Sequence, residues 1–153
     1  HHGGQSTRER TTWIATNARG LNNYFFTQQP GITDIMPSIA AFLQIKIPRD
    51  QLMEIDGISL TGKLSATNSE ATIENGSINL KWKVQHKEGM AKIWLTTTNK
   101  FQSGMKDDYQ MIKEVPVANG KASIDVKKFN SDFYKLVIEM PYNFLNRWIQ
   151  IKR

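Results

Sequence analysis

The second half of the chain is a succession of short segments in which apolar and polar residues alternate. Residues 78–85 read Ile-Asn-Leu-Lys-Trp-Lys-Val-Gln, so every second side chain is apolar. Such alternation places one set of side chains on each face of a β-strand. Trp82 and Tyr134 are the expected core anchors of the resulting sandwich. Five further segments of this kind follow, with Asn119-Gly120 as a hairpin signal between two of them: residues 91–97, 109–117, 121–126, 133–140 and 147–152.

Six consecutive strands without a helical period predict an antiparallel β-sandwich of the immunoglobulin or fibronectin III-like type over residues 77–153. The preceding stretch, residues 66–76, is rich in small and polar residues and predicts a linker. Residues 1–65 then form a separate N-terminal part. Because that part combines a short strand, a loop and a helix, the predicted fold class of the whole chain is α+β.

The N-terminal part contains the clearest helical pattern of the chain. Residues 11–16 are β-branched and aromatic and predict a short buried strand, and residues 17–31 predict a loop. Asp34 is the expected helix cap, which places Pro37 in the first turn. The apolar positions recur at a period of 3.6 and define one helix face: Ile32, Ile35, Met36, Ile39, Phe42 and Leu43.

Charge and composition exclude several classes of function. The net charge is +6, but lysines such as Lys81 and Lys83 alternate with apolar residues, as on the solvated face of a sheet. We therefore expect no nucleic-acid partner. The chain has no cysteine, which excludes disulfides, thiol chemistry and cysteine-ligated zinc. No apolar run reaches the length of a membrane span.

Three stretches within residues 2–60 carry a family resemblance. They read HGGQSTRERTTWIATN, GITDIMPSIAAFLQI and IDGISL, in that order. This succession resembles the C-terminal end of the alkaline phosphatase superfamily, in its type I phosphodiesterase/nucleotide pyrophosphatase and sulfatase-like branch. The later stretches INLKWKV, YKLVIEM and NRWIQI look like a sandwich domain appended to such enzymes in Bacteroidetes-type bacteria.

The resemblance implies hydrolysis of a phosphoric or sulfuric ester. In that family a Thr or Ser nucleophile attacks the ester, and two divalent metals, usually zinc, hold the attacking and leaving oxygens. His2 matches the late histidine ligand of the family's His-Gly motif. Arg8, Glu9 and Arg10 match a Glu-Arg segment near the site, with a role in positioning ligands or substrate; an ordinary ion pair or a solvated loop is the alternative. The family also implies a periplasmic or secreted location.

The remaining catalytic residues of the family have no counterpart in this chain. One histidine cannot hold a catalytic zinc, which usually needs three protein ligands. We therefore expect the chain to be the inactive C-terminal part of a larger hydrolase, whose partners are the rest of the catalytic domain and the ester substrate. The alternative is a stand-alone β-sandwich module that binds a glycan or a protein partner. His1-His2 is also open to interpretation as the remnant of a purification tag.

Other candidate residues have structural interpretations. Asp56-Gly57 predicts a turn, His86 a hairpin histidine at the surface, and Asp107-Asp108 a solvated loop. Trp94, Trp148, Tyr142 and Phe144 are either core aromatics or a face that stacks on sugar rings. Tyr142 and Phe144 follow Pro141 and are the members of this set that we expect to be exposed.

The apolar helix face leads to one further expectation. In an isolated chain this face must contact the sandwich, a second chain or water. If it is exposed, it would be an association patch. We therefore expect residues 1–65 either to be poorly ordered or to mediate a homodimer.

Overall fold

The computed structural model of the chain describes residues 6, 11, 13–28 and 30–151. Three short α-helices come first: α1 (Asn23–Thr27), α2 (Ile35–Phe42) and α3 (Arg49–Leu52). Seven strands follow: β1 (Ala66–Glu74), β2 (Ser77–Val84), β3 (Met90–Thr96), β4 (Gln110–Pro116), β5 (Lys121–Asp125), β6 (Phe133–Glu139) and β7 (Phe144–Gln150). Short 3-10 turns lie at Ile32–Asp34, Lys100–Ser103, Val117–Asn119 and Lys127–Phe129.

The strands form two antiparallel sheets. One sheet has three strands in the order β1-β2-β5, and the other has four in the order β4-β3-β6-β7. Apolar side chains from the inner faces of both sheets share one core, so the predicted β-sandwich architecture is confirmed at this level. Trp82 and Tyr134 are both buried in this core, and the Trp82 Nε1–H donates to the carbonyl of Val117 at 2.9 Å.

Alternation determines which side chains reach the core. On β6, Leu136 and Ile138 point inward into the shared core. Val137 lies between them and points outward, yet it is also fully buried. The centre of the outer face of the four-stranded sheet is therefore covered around Val137, in contrast to the exposed Lys81 and Lys83 on the other sheet. The segment that contains α3 and the loop that precedes β4 lie on this face, where Arg49 bonds Glu139 and Asp107 accepts from Lys135.

The segment expected to be a linker contains a strand. Residues 66–74 form β1, which pairs along its length with β2. Asn68, Glu70 and Glu74 have a low strand propensity, and Asn68 interrupts the ladder at a bulge with a φ of 50°. Pairing with β2 supplies the order that local propensity does not. The division of the chain into domains 1–65 and 77–153 stays a prediction.

The N-terminal part differs from its prediction in three places. Residues 13–16 pair with no strand among the described residues, and Trp13 is 84% exposed, so the predicted buried strand is wrong there. The predicted loop contains α1, which begins after Asn22, whose side-chain oxygen accepts from the Phe25 amide. Asp56-Gly57 is not at a turn.

The predicted helix is present as a 3-10 turn followed by α2. Pro37 lies in the first turn of α2, as predicted, where its missing N–H removes no helical hydrogen bond. Asp34 occupies the cap position of α2, but its side chain makes no capping bond to that helix. Asp34 has a helical backbone because it ends the 3-10 turn before α2. Its carboxylate accepts hydrogen bonds from the Gly31 and Ile58 amides instead.

Candidate functional site: an exposed apolar face held on the sandwich

The apolar side of α2 faces away from the sandwich. The buried residues of this helix are Pro37 and Ala40, so the helix packs through its small side chains. The large side chains on the opposite side are exposed, and Phe42 reaches 68% exposure. We call this surface the apolar face; it consists of Ile32, Ile35, Met36, Ile39, Phe42 and Leu43.

A groove of about 270 Å³ extends the apolar face. Ile35, Ile39 and Phe42 form one wall. Ile14 and Leu21, from the segment before α1, lie on the other side, together with Leu60. Leu21 is fixed because it forms an isolated antiparallel bridge with Thr61. Three chain segments therefore line this groove, which adjoins the apolar face.

The side chain of Asp34 holds the beginning of α2 in place. Its carboxylate is buried and accepts hydrogen bonds from the Gly31 and Ile58 amides, each at 2.8 Å, and from the Tyr24 hydroxyl at 3.3 Å. Burial, and then the negative charge of Asp34, raise the pKa of Tyr24 to about 12. One carboxylate thus ties together α1, the turn before α2, and the strand-like segment around Ile58.

Ser38 makes a second connection of the same kind. Its hydroxyl donates to the Asp34 carbonyl at 2.6 Å and accepts from the Leu60 amide at 2.8 Å. Close packing accompanies these bonds, because a Cβ on Gly57 would lie 1.9 Å from the carbonyl oxygen of Thr33. The segment 57–60 therefore lies directly against the beginning of the helix, and a glycine is required at the closest approach.

Arg49 joins the N-terminal part to the four-stranded sheet. Its guanidinium donates to both carboxylate oxygens of Glu139, at 3.0 and 2.6 Å. The same carboxylate accepts from the Trp94 indole at 2.7 Å, and Arg49 lies 4.5 Å above the Trp94 ring. The hydrogen bond from Arg49 lowers the pKa of Glu139 below its usual value. Trp94 is therefore a partly covered aromatic beneath Arg49.

A second ionic cluster lies deeper under the same segment. The Lys135 ammonium on β6 donates to Glu54 and, at 2.8 Å, to Asp107. The Asp107 side chain is fully buried. Burial alone would raise the pKa of Asp107, but hydrogen bonds from Lys135, Thr98 and the Lys100 amide outweigh it and lower the pKa to about 2. Burial alone would lower the pKa of Lys135, but its two carboxylate partners raise it.

Two further contacts surround this cluster. The Tyr109 hydroxyl donates to Glu54 at 3.0 Å, and burial, followed by the charge of Glu54, strongly raises the pKa of Tyr109. Asn146 on β7 donates to the carbonyl of Ile55 at 2.7 Å. The segment 49–56 is thus attached to three of the four strands of the sheet or to the loops beside them. The loop prediction for Asp107-Asp108 holds for its backbone, but Asp107 is buried rather than solvated.

Tyr142 and Phe144 lie at the junction between the helix and the sandwich. Both line a cavity of about 330 Å³, whose other wall includes Pro37 and Ala40 of α2. Tyr142 is 39% exposed, its hydroxyl donates to Glu88 at 2.9 Å, and its ring lies edge-on to His86. His86 is half-buried, and its Nδ1 bonds the carbonyl of Leu64 at 2.7 Å. A role of Tyr142 and Phe144 in binding a ligand stays a prediction.

The residues that the family resemblance nominates lie outside the described part of the chain. These are His2, Arg8, Glu9 and Arg10. Within residues 13–28 and 30–151, no group of three or more histidine, aspartate and glutamate side chains is arranged to hold a metal ion. Across the same residues, no helix is long and apolar enough to cross a membrane.

The sequence pattern does not predict how the helix is attached to the sandwich. Asp34, Ser38 and Gly57 act together, but they are separated by up to about two dozen residues, and their contacts are tertiary. The burial of Lys135 is likewise not predicted by the sequence pattern, because a lysine at an alternating polar position on a strand normally faces water. The acidic residues Glu54 and Asp107 in the segments that cover the sheet are the sequence feature that matches this lysine. A charged side chain on a covered sheet face needs such a partner.

Comparison of the chain with models of known protein families finds no match. Comparison with curated proteins finds no match either.

Proposed function

We propose that the chain is the C-terminal part of a metal-dependent phosphoric or sulfuric ester hydrolase of the alkaline phosphatase superfamily. Residues 1–65 belong to its catalytic domain, and the sandwich is a non-catalytic accessory domain. The chain by itself is inactive, because the nucleophile and the other metal ligands lie in the rest of the catalytic domain. From the family resemblance we infer a periplasmic or secreted location.

The observation that supports the proposal is the combination of an exposed apolar face with a rigid attachment. A face that was merely unfolded or loosely packed would lack specific anchors. Here Asp34 and Ser38 hold α2 in place through buried or half-buried hydrogen bonds, while the apolar face remains open. Exposed apolar patches of this kind mark interfaces. A catalytic domain that packs on α2 would cover it, as the resemblance implies.

The strand order supports the finer classification of the sandwich. The sheets β1-β2-β5 and β4-β3-β6-β7 correspond to the arrangement A-B-E and C′-C-F-G of immunoglobulin-related sandwiches. We therefore assign residues 66–150 to an immunoglobulin or fibronectin III-like type. The accessory domain then begins with β1, about ten residues before the start that the sequence pattern predicts.

His2 is the residue through which this chain contributes to the reaction. A neutral imidazole is a good zinc ligand, and the adjacent Gly3 and Gly4 allow close approach of the backbone. Zinc in such an enzyme supplies Lewis-acid activation of the ester and of the attacking oxygen. A single imidazole leaves the remaining coordination positions to ligands from the rest of the catalytic domain. Arg8, Glu9 and Arg10 would orient ligands or substrate near this histidine.

The test uses the full polypeptide that carries this chain. We expect His2→Ala to lower the zinc content, measured by inductively coupled plasma mass spectrometry, and to lower the hydrolysis of bis(p-nitrophenyl) phosphate or p-nitrophenyl sulfate at least about tenfold. The matched control is His86→Ala, which removes a histidine whose ring bonds a backbone carbonyl. It should leave both quantities unchanged. Equal zinc content and activity in the His2→Ala variant and the parent protein would refute the proposal.

A further inference from the structure

The outer face of the four-stranded sheet carries an aromatic groove at its β7 edge. The groove has a volume of about 480 Å³. Trp148 of β7 and Phe133 of β6 form its floor, with ring centroids 6.3 Å apart and ring planes inclined by 35°. Phe101, from the 3-10 turn before β4, is the third aromatic of the lining. Trp148 is 62% exposed, which makes it the most accessible aromatic of the sandwich among the described residues.

Strand register explains why these side chains meet. Lys135 is paired with Trp148, and Phe133 is paired with Gln150. Because side chains two apart on a strand share a face, all four point to the outer side of the sheet. The groove is therefore a property of regular β-structure and not of a loop conformation.

Amide side chains border the aromatic floor. Asn99 and Gln102 lie on one side and Gln150 on the other. The Asn99 amide donates to Gln102 at 3.1 Å and accepts from the Lys135 ammonium at 3.4 Å, so both amides are oriented before any ligand binds. Amides donate and accept hydrogen bonds, which is also what hydroxyl groups do. A ligand with an apolar face and a rim of hydroxyls would match both parts of the groove.

The charge of the groove selects among such ligands. Of the groove-lining residues, Lys135 carries the one positive charge, and it is already paired with Glu54 and with the buried Asp107. Asp56 adds a further exposed carboxylate. Among the lining residues, the two carboxylates Glu54 and Asp56 against one ammonium leave the groove about one charge negative, and the buried Asp107 behind Lys135 adds a second negative charge, in a chain whose net charge is +6. Anionic ligands such as nucleic acids, uronic acids and sulfated sugars would be repelled here.

We propose that this groove binds a neutral saccharide, with Trp148 as the main stacking platform. The apolar face of a pyranose ring packs on the indole, and the ring hydroxyls bond to the amides and to Asp56. The cluster of Lys135, Glu54 and Asp107 holds the floor rigid, which reduces the entropy lost on binding. This inference does not depend on whether residues 1–65 belong to a catalytic domain.

The experiment measures binding of the full chain to neutral and anionic sugars by isothermal titration calorimetry. The neutral probes are β-1,4-linked hexasaccharides of glucose, xylose, mannose and N-acetylglucosamine. The anionic probes are polygalacturonate and heparin. We expect at least one neutral hexasaccharide to bind, and Trp148→Ala to weaken that binding about tenfold or more. Phe101→Ala, on a different chain segment, should also weaken it.

The matched control is Trp13→Ala, which removes a tryptophan that is even more exposed and does not line the groove. It should leave the affinity within about twofold of the parent chain. Because Trp148 is largely exposed, the thermal midpoint of Trp148→Ala should match that of the parent. The proposal is overturned if no neutral hexasaccharide binds, if binding survives Trp148→Ala, or if an anionic probe binds more tightly than every neutral one. Capture of a protein partner at this face, without saccharide binding, would overturn it equally.

Discussion

At the scale of single residues, the attachment of α2 depends on a few side chains whose importance is set by distant neighbours. Gly57 shows this most directly, because the Thr33 carbonyl occupies the space where a Cβ would stand. Asp34 is similar, since it satisfies backbone amides on both sides of the same contact. The motif Asp56-Gly57 predicts a turn by local rules, but the glycine is needed for close packing instead.

Gly57→Ala should therefore destabilise the chain by about 2 kcal/mol or more, since the added methyl group must push the helix away from the segment 57–60. The measurement is the free energy of unfolding in urea. The matched control is Gly31→Ala, because a Cβ on Gly31 meets its nearest atom at 3.5 Å and needs no unusual backbone. Equal stability of the two variants would show that the packing of α2 on this segment is not as described.

At the scale of elements, the ionic cluster around Lys135 couples β6, the loop before β4 and the segment after α3. Asp107 has a pKa of about 2 in the folded chain, against an ordinary value of 3.8. A lowered pKa stabilises the fold at pH values above the ordinary value, and this contribution is lost as the pH falls toward the folded value. The free energy of unfolding at acidic pH should therefore depend on the ionic pairing of Asp107 in this cluster.

Between pH 6 and pH 3, the Asp107 carboxylate should account for a loss of about 1 kcal/mol in the free energy of unfolding. Asp107→Asn should remove that part of the pH dependence, so its stability should fall less steeply over this range. Asp108→Asn is the control, because Asp108 is exposed and pairs with Lys100 at the surface. Identical pH slopes for Asp107→Asn and the parent chain would contradict the buried pairing.

The sequence predicts a strand correctly where its alternation of apolar and polar residues matches the burial of its two faces in the fold. Strands β2 and β3 alternate in sequence and bury mainly one face, so their positions follow from the pattern. Strand β1 does not alternate clearly and depends on pairing with β2. Asn119-Gly120 predicts a hairpin, but β4 and β5 belong to different sheets, and the turn carries the chain from one sheet to the other. Local turn chemistry is satisfied in either topology.

At the scale of the whole molecule, the chain is well packed on one side and open on another. The sandwich core and its cover are in contact, but none of residues 13–28 and 30–151 covers the apolar face. The helical period predicted which side chains form this face. It could not predict that the sandwich would contact the opposite, small-residue side, because that choice is made by Asp34, Ser38 and Gly57.

The isolated chain should self-associate through the apolar face. Sedimentation velocity over a range of concentrations should show a shift toward dimers, and Phe42→Lys should suppress it, because a charge at the centre of an apolar contact is costly to bury. Phe101→Lys is the matched control, since Phe101 is an exposed phenylalanine outside this face. A chain that stays monomeric at all concentrations, or one whose association is equally sensitive to both substitutions, would contradict this prediction.

We propose that a catalytic domain of the same polypeptide covers the apolar face and completes the metal site that includes His2. The most direct measurement is the coding sequence immediately upstream of His1. We predict an open reading frame that continues in phase into a domain with a Thr or Ser nucleophile and an Asp-His-Gly motif. An initiation codon directly before His1, or an upstream domain that lacks both features, would contradict this proposal.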